Sequence, residues 1–307
     1  MARREDAVRN PTQDARLTNR RAAHSAARRF DLHVHSTVSD GLYAPREVVR
    51  LAAVAGLGTI ALTDHDAVEG IDEALAAGDR YGVRVIPGVE ISTYAGEVEL
   101  HVLGYLVRHT DPILRATLTR YREARLERAR AMLARLEALG LPLSWERVRE
   151  LAGPGSIGRP HIARALLEEG HVHSVAEAFD RLLNPGKPAY VPREKATPGE
   201  AIRLIHGAGG LAALAHPWAV AGHVADLARE GLDGLEVYYS GYGPQVSHYL
   251  RALAREQGLI CTGGSDFHGA SREENRLGGV DIPQACLDGL YRRHRAGRRY
   301  DEDGASP

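Results

Sequence analysis

Histidine and carboxylate residues follow one predicted strand after another along this chain, and this placement constrains the fold more than any other feature. The predicted strands are Phe30–His35, Gly58–Leu62, Val83–Ile86, Glu99–Tyr105, Leu211–Ala215, Gly234–Tyr238 and Leu259–Thr262. Helical patterns such as Pro45–Ala55, Val68–Tyr81 and Pro244–Gln257 alternate with them. Repeated strand–helix units predict a parallel α/β architecture, and the number of strands favours a barrel over an open sheet.

A block without strand signals interrupts this alternation. Asp111 and Pro112 form a helix start, apolar residues recur at helical spacing, and Gly140 ends the first helix. Three more helices are predicted before the strands resume. The predicted organisation is a disordered extension at 1–29, a discontinuous barrel at 30–107 and 190–290, a helical insertion at 108–189, and a C-terminal tail at 291–307.

Composition excludes several classes of protein. A net charge of −1 gives no overall attraction to nucleic acid or membranes, although a local patch could hold a nucleotide. The two cysteines, Cys261 and Cys286, cannot build a disulfide framework or a cysteine-rich zinc site, and we expect them to be buried thiols. No secretory h-region, membrane span, Walker A motif or dinucleotide-binding motif is present. A cytoplasmic location is expected, with a basic arm touching RNA as the alternative for residues 1–29.

The candidate metal ligands lie at or beside the ends of the predicted strands. They are His33, His35, Asp40, Asp64, His65, Glu90, His101, His216, Asp266 and His268. Because the loops after the strands of an α/β barrel converge on one face, we expect these residues to form one cluster. Imidazole and carboxylate together suit Mn, Zn or Fe(II) better than an all-oxygen Ca or Mg site.

The pair His33 and His35 is informative only in this context. Side chains two positions apart on a strand lie on the same face, so both rings could bind one ion. Taken alone, the pair is weak evidence and is better explained as two polar residues on a strand. The ligand-type residues at the other strand ends favour metal binding.

The motifs that contain these residues resemble those of the PHP (polymerase and histidinol phosphatase) family. The matching segments are Asp31–Ser36 with Asp40-Gly41, Thr63–Asp66, Gly88–Ser92, Ala215–Pro217 and Ser265–Gly269. Three further segments, His101–Tyr105, Gly158–His161 and Pro188–Pro192, resemble one subgroup of that family. Its members include nucleoside 3′,5′-bisphosphate phosphatases and a 5′→3′ exoribonuclease that acts on short RNAs.

The resemblance implies a distorted (β/α)7 barrel with an inserted small helical domain and two or three divalent ions, Mn first, with Zn, Fe or Mg as alternatives. It assigns the first ion to His33, His35, Glu90 and Asp266, the second to Glu90, His101 and His216, and the third to Asp40, His65 and His268. Glu90, Asp266 and His268 are the implied catalytic residues. A carboxylate shared by two cations would lower their mutual repulsion.

Carboxylates next to these ligands are expected to support them. We expect Asp64 and Asp66 to orient the imidazole of His65. Asp31 either supports a strand end or is solvated, and the sequence leaves both possibilities open.

The candidate substrate contacts are cationic residues of the insertion and of the segment after it. Arg159 and His161 stand at a predicted helix start, where anions bind well, and we expect them to hold a phosphate that does not react. The alternative is a helix start whose arginine pairs locally. Arg193 and Lys195 are further candidates.

The predicted activity is hydrolysis of the 3′-phosphate of nucleoside 3′,5′-bisphosphates by metal-activated water. The alternatives are a 5′→3′ exoribonuclease on short 5′-phosphorylated RNAs, a histidinol-phosphate-type phosphatase, and a non-catalytic metal-binding module. The expected partner is a small nucleotide or short oligonucleotide. No membrane and no stable protein partner are expected.

Overall fold

The computed structural model describes residues 29–153, 157–192, 196–269 and 275–302. The predicted extension therefore lies outside the described residues, apart from Arg29, which begins the first strand. Seven strands form one sheet in sequential order: β1 Arg29–Val34, β2 Leu57–Leu62, β3 Arg84–Ala95, β4 Val98–Tyr105, β5 Leu211–Leu214, β6 Gly234–Tyr239 and β7 Ile260–Gly264.

The sheet almost closes on itself. Val34 at the end of β1 pairs with Phe267, which follows β7, and the backbone N–H of His35 donates to the carbonyl of Phe267 at 2.9 Å. The predicted α/β barrel is thereby confirmed.

One strand runs against the predicted direction. β4 is antiparallel to both β3 and β5, whereas the other neighbouring pairs are parallel. The sequence prediction ended the third strand at Ile86, but β3 continues to Ala95 and returns through a short hairpin in which Gly96 adopts a φ of +62°. Strands joined by so short a turn must be antiparallel. A fully parallel barrel was therefore the wrong expectation.

Helices connect the strands and build the insertion. They are α1 Pro45–Val54, α2 Ile71–Tyr81, α3 Pro112–Ala138, α4 Trp145–Ala152, α5 Arg159–Glu168, α6 Val175–Ala178, α7 Pro198–Gly207, α8 Val224–Arg229, α9 Pro244–Glu256 and α10 Gln284–Glu302. A π-type turn, Phe179–Leu183, extends α6, and a 3₁₀ turn, Pro217–His223, precedes α8.

The long helix α3 belongs to two hydrophobic cores. Asp111 caps its first turn by accepting hydrogen bonds from the backbone of Ile113 and Leu114. Leu114 and Leu118 are buried in the barrel core, whereas Met132 and Leu136 are buried in a separate core formed by the insertion. The helix therefore carries the chain from the outside of the barrel into the insertion.

The C-terminal helix α10 packs at the end of the barrel where β5 and β6 begin. Leu290 is buried in a cluster with Tyr105, and Arg293 pairs with Asp233 at 3.1 Å. This helix crosses the boundary at residue 290, where a C-terminal tail was expected. Within the described ranges, no helix combines the length and the apolar character needed to cross a membrane.

The two cysteines have different environments. Both are free, but only Cys286 is buried, while Cys261 is partly exposed. Burial raises the pKa of Cys286 to about 12.

Candidate metal centre

A single buried carboxylate, Glu90, lies at the middle of the candidate ligands. It is 1% exposed, and five imidazole rings approach its two oxygens. The approaches to Oε2 are 3.1 Å from His33, 3.2 Å from His35 and 3.2 Å from His65, and those to Oε1 are 2.9 Å from His101 and 3.3 Å from His216. Its two oxygens therefore face two different sets of rings.

Two aspartates complete the cluster on the other side. Asp266 Oδ1 lies 3.3 Å from His33 Nε2 and 3.1 Å from His35 Nε2. Asp40 Oδ1 lies 3.1 Å from His268 Nε2, and its other oxygen is 3.9 Å from His65 Nε2. The nine residues that the family resemblance assigns to ions thus join one connected set of contacts, although their roles as ligands stay a prediction.

Donor atoms converge in three groups, each compact enough to surround one ion. The groups are His35, Asp40, His65 and His268; His33, His35, Glu90 and Asp266; and His65, Glu90 and His101. In each group the donor atoms lie within 4.8 Å of one another. Adjacent groups share residues, so ions at neighbouring positions would share ligands.

The buried imidazoles at the centre are better placed to bind metal ions than to form hydrogen bonds. His35 Nε2 and His65 Nδ1 lack a hydrogen-bond partner although carboxylate oxygens lie within 3.2 Å, because those oxygens are not aligned for hydrogen bonding. Buried polar atoms normally have hydrogen-bond partners. Nitrogen and oxygen atoms that instead converge on a common point are typical of a metal coordination site. Mixed nitrogen and oxygen donors suit a transition metal.

Charge is strongly coupled across the cluster. Burial lowers the pKa of His35, but Asp266 and Glu90 outweigh it and raise that pKa to about 10. Burial also lowers the pKa of His101, but Glu90 outweighs this effect and raises that pKa to about 10. Burial and neighbouring cationic rings lower the pKa of His65 to about 3. Divalent cations would replace the protons that the carboxylates otherwise retain on these rings.

A buried glutamate that the sequence reasoning missed supports this cluster. Glu236 on β6 is fully buried, accepts a hydrogen bond from His33 Nδ1 at 3.0 Å, and accepts another from the backbone N–H of His216 at 2.7 Å. Its carboxylate thereby fixes which nitrogen of His33 points toward Glu90. The available signal was a glutamate inside a strand that is otherwise apolar.

Two further groups hold the strand ends in place. Tyr239, also missed, donates its hydroxyl proton to Asp266 Oδ2 at 2.9 Å. Asp31 is buried and accepts hydrogen bonds from Ser265 and from the backbone of Gly278. It supports the strand ends, which decides between the two possibilities that the sequence left open.

The expectation that Asp64 and Asp66 orient His65 was wrong. Asp64 accepts hydrogen bonds from Ser36 and Ser39, and so fixes the loop after β1. Asp66 accepts from the backbone of Ser92 and forms an ion pair with Arg125 of α3. The partners of both carboxylates thus come from the loop after β1, from β3 and from α3.

A cavity of about 490 Å³ connects the cluster with the insertion. Asp40, His65 and His101 of the cluster line this cavity, and so do Arg159 and His161 of the insertion. The guanidinium of Arg159 lies 5.7 Å from the ring centre of Phe179 and 6.0 Å from that of Tyr190. His161 Nδ1 accepts a hydrogen bond from the backbone of Gly158 at 3.0 Å, which leaves its other nitrogen free to donate.

The remaining two substrate candidates cannot be placed. Arg193 and Lys195 lie outside the described residues. Their predicted contacts with substrate therefore stay predictions.

Comparison with known proteins agrees with this geometry. The model of the PHP domain family matches residues 31–260. A 3′,5′-nucleoside bisphosphate phosphatase of Chromobacterium violaceum is 37% identical over 84% of this chain and 93% of its own, and the 5′-3′ exoribonuclease Rnm of Salmonella typhimurium is 38% identical over 78% and 85%. A solved structure of a proposed metal-dependent phosphoesterase from Bifidobacterium adolescentis, 30% identical, covers 87% of this chain and 97% of its own, with a TM-score of 0.69.

Proposed function

The chain belongs to the PHP domain family, and from this premise we propose that it is a metal-dependent phosphoesterase that removes the 3′-phosphate from nucleoside 3′,5′-bisphosphates. The products are a nucleoside 5′-monophosphate and inorganic phosphate. The substrate class rests on the named relatives together with the cavity beside the cluster.

The observation that carries the proposal is a cavity lined both by candidate metal ligands and by residues that can bind a phosphate. Its volume of about 490 Å³ is within the usual range for small-molecule sites. The cluster offers ligands for cations, which attract a phosphate that reacts. The insertion offers Arg159 and the free nitrogen of His161, which suit a second phosphate at a distance.

The proposed ions are divalent, two or three in number, with Mn first and Zn, Fe or Mg as alternatives. Glu90, with two oxygens facing different rings, suits a position between two of them. When bound, such ions acidify a water molecule and neutralise charge on the phosphate oxygens.

The chain's own residues position these components. His268 donates its Nδ1 proton to the carbonyl of Asp266 at 2.9 Å, so its Nε2 lone pair faces Asp40 and the cluster. Tyr239 keeps the carboxylate of Asp266 directed toward His33 and His35. Glu90, Asp266 and His268 are the proposed catalytic residues because each belongs to a group of donor atoms that would hold the ions.

A second candidate function is 5′→3′ exoribonuclease activity on short 5′-phosphorylated RNAs. The Salmonella relative favours it, because that protein is named for this activity. The chemistry is the same, since water attacks the 3′ phosphorus of the 5′-terminal nucleotide in both reactions. Hydrolysis of histidinol phosphate is a third possibility. A cytoplasmic location stays part of the proposal.

The deciding experiment compares substrates side by side with the purified protein. Values of kcat/KM are measured for 3′-phosphoadenosine 5′-phosphate, for a short 5′-phosphorylated RNA and for histidinol phosphate, each with Mn²⁺, Zn²⁺, Fe²⁺ and Mg²⁺. The bisphosphate should be hydrolysed fastest, and release of phosphate should leave the 5′-monophosphate. A clear preference for RNA would favour the second function, and no hydrolysis of any of them would overturn the proposal.

A further inference from the structure

A series of aromatic rings leads outward from the metal cluster on the side of His216 and Asp266. The ring of Tyr239, which is hydrogen-bonded to Asp266, lies 5.7 Å from the ring of His216 and 5.0 Å from that of Tyr242. The hydroxyl of Tyr242 accepts a hydrogen bond from the backbone of Trp218 at 3.0 Å. We call Trp218, Tyr242 and Tyr249 the aromatic shelf.

The outer part of the shelf is exposed and already ordered. Trp218 is 51% exposed and Tyr249 is 50% exposed, and their rings meet edge to face with centres 5.7 Å apart. Single exposed aromatic residues are common on protein surfaces. Two that support each other and connect to a catalytic centre form a surface on which a flat, apolar group can stack without first ordering the side chains.

Helix α9, which carries Tyr249 of the shelf, also carries cationic groups that suit a phosphate backbone. The segments that carry the shelf, residues 217–225 and 240–255, contain no aspartate or glutamate. Helix α9 instead carries His248, Arg251 and Arg255, and all three line a surface groove of about 400 Å³. The groove contains none of the three shelf residues, and the pocket that Tyr242 lines holds Asp281, so these cations would attract a polyanion to α9 without holding it on the shelf itself.

The shelf and the insertion lie against different parts of the cluster. The cavity beside the insertion is lined by Asp40, His65 and His101. Tyr239, which links the shelf to the cluster through Tyr242, instead contacts His216 and Asp266. A substrate whose 5′ end occupies the cavity and whose 3′ phosphorus reaches the cluster would continue toward the shelf.

We propose that the aromatic shelf binds the base of the nucleotide that follows the scissile phosphate in a short single-stranded RNA. The inference rests on the proposed phosphoesterase function and specifies the substrate that the same centre takes beyond a bisphosphate. Every base can stack on aromatic rings. The shelf would therefore increase the affinity for longer RNAs regardless of their sequence. A bisphosphate has no nucleotide at this position and gains nothing from it.

The kinetic test uses Trp218→Ala and Tyr249→Ala on two substrates in parallel. For a 5′-phosphorylated trinucleotide, kcat/KM should fall about 5- to 160-fold in each variant, the range expected for losing one stacked base. For 3′-phosphoadenosine 5′-phosphate it should stay within about twofold. Trp218→Phe should recover most of the loss. Tyr81→Ala, which removes an exposed aromatic from the end of α2, is the matched control and should leave both substrates unaffected.

A binding test separates the shelf from the chemistry. The chain has two tryptophans, Trp145 in the insertion and Trp218 on the shelf. A 5′-phosphorylated trinucleotide with a non-hydrolysable methylene phosphonate linkage should quench the fluorescence of the Mn²⁺-loaded protein and of its Trp145→Phe variant, but not that of Trp218→Phe.

These outcomes separate failure of the shelf from failure of the proposed function. Quenching through Trp218 without hydrolysis of any substrate would refute the phosphoesterase function and leave the shelf intact. Hydrolysis without such quenching, or equal losses on both kinetic substrates, would overturn the shelf.

Discussion

The barrel and the insertion hold their polar groups in opposite ways. In the barrel, His33 and Glu90 are buried, and His33 contacts carboxylates through both of its ring nitrogens. In the insertion, Arg159 is only partly buried, lies over the faces of Phe179 and Tyr190, and has one long hydrogen bond of 3.4 Å to the carbonyl of Leu183.

The contrast teaches where each region can change. Removing one partner of a buried, paired charge leaves the other uncompensated, which is costly, so the barrel tolerates little change at its centre. A guanidinium that lies over aromatic rings loses little interaction free energy when its contacts change. Chemistry is therefore expected to depend on the barrel, and the choice of substrate on the insertion.

The largest effect is expected from removing the carboxylate of a buried glutamate in the barrel, compared with removing that of an exposed glutamate on α3. Glu90→Ala should lower kcat/KM at least about 1000-fold, because charge stabilisation by bound ions contributes several kcal/mol. Elemental analysis should show less bound metal. Glu127→Ala, at an exposed position of α3, is the control and should change neither quantity. Full turnover with unchanged metal content in Glu90→Ala would remove Glu90 from the centre of the mechanism.

Arg159→Ala tests whether the insertion selects substrates. For 3′-phosphoadenosine 5′-phosphate, kcat/KM should fall about 10- to 150-fold, the usual value of a charge-assisted contact, while a nucleoside 3′-monophosphate should lose much less. Arg164→Ala, an exposed arginine on the same helix, is the matched control. Equal losses on both substrates would assign Arg159 to the reacting phosphate or to a structural role.

Glu236→Gln sharpens the comparison inside the barrel. The amide keeps the size of the side chain but brings a donor to a site where the backbone N–H of His216 already donates. We expect Mn²⁺ affinity to weaken about 10- to 100-fold, with activity restored at saturating metal. Exposed Glu256→Gln on α9 serves as the control. Unchanged affinity, or a loss that added metal does not restore, would contradict the positioning role.

The barrel and the convergence of the candidate ligands could be predicted because both depend on local pattern. Alternating strands and helices predict a barrel, and the loops after barrel strands meet on one face. His35, His65 and His268, far apart in sequence, come together for this reason. Helix starts were also predictable, since Ser174 and Thr197 each accept a hydrogen bond from the backbone three residues later.

What escaped prediction depends on long-range contacts. Glu236 looks like any polar residue within a strand until His33 is known to lie opposite it. Asp64 and Asp66 were assigned to their neighbour in sequence, yet their partners include Ser36 and Arg125, which are distant in the chain. The reversed direction of β4 was missed because the third strand was predicted to end at Ile86, whereas it continues to Ala95 and leads through a hairpin into β4.

The continuous helix α3 also fixes the distance between two of its own attachments to the rest of the molecule. Arg125 forms an ion pair with Asp66 of the barrel, and Arg135 donates a hydrogen bond to the carbonyl of Tyr190, which follows the insertion and lies beside Arg159. Ten residues separate these two attachments, a rise of about 15 Å at about 1.5 Å per residue. Adding or deleting whole turns between them would change the separation of the two attachments in steps of about 5.4 Å and keep their relative orientation around the helix. The distance between Asp66 in the barrel and Tyr190 in the lining of the cavity therefore depends on the length of one helix.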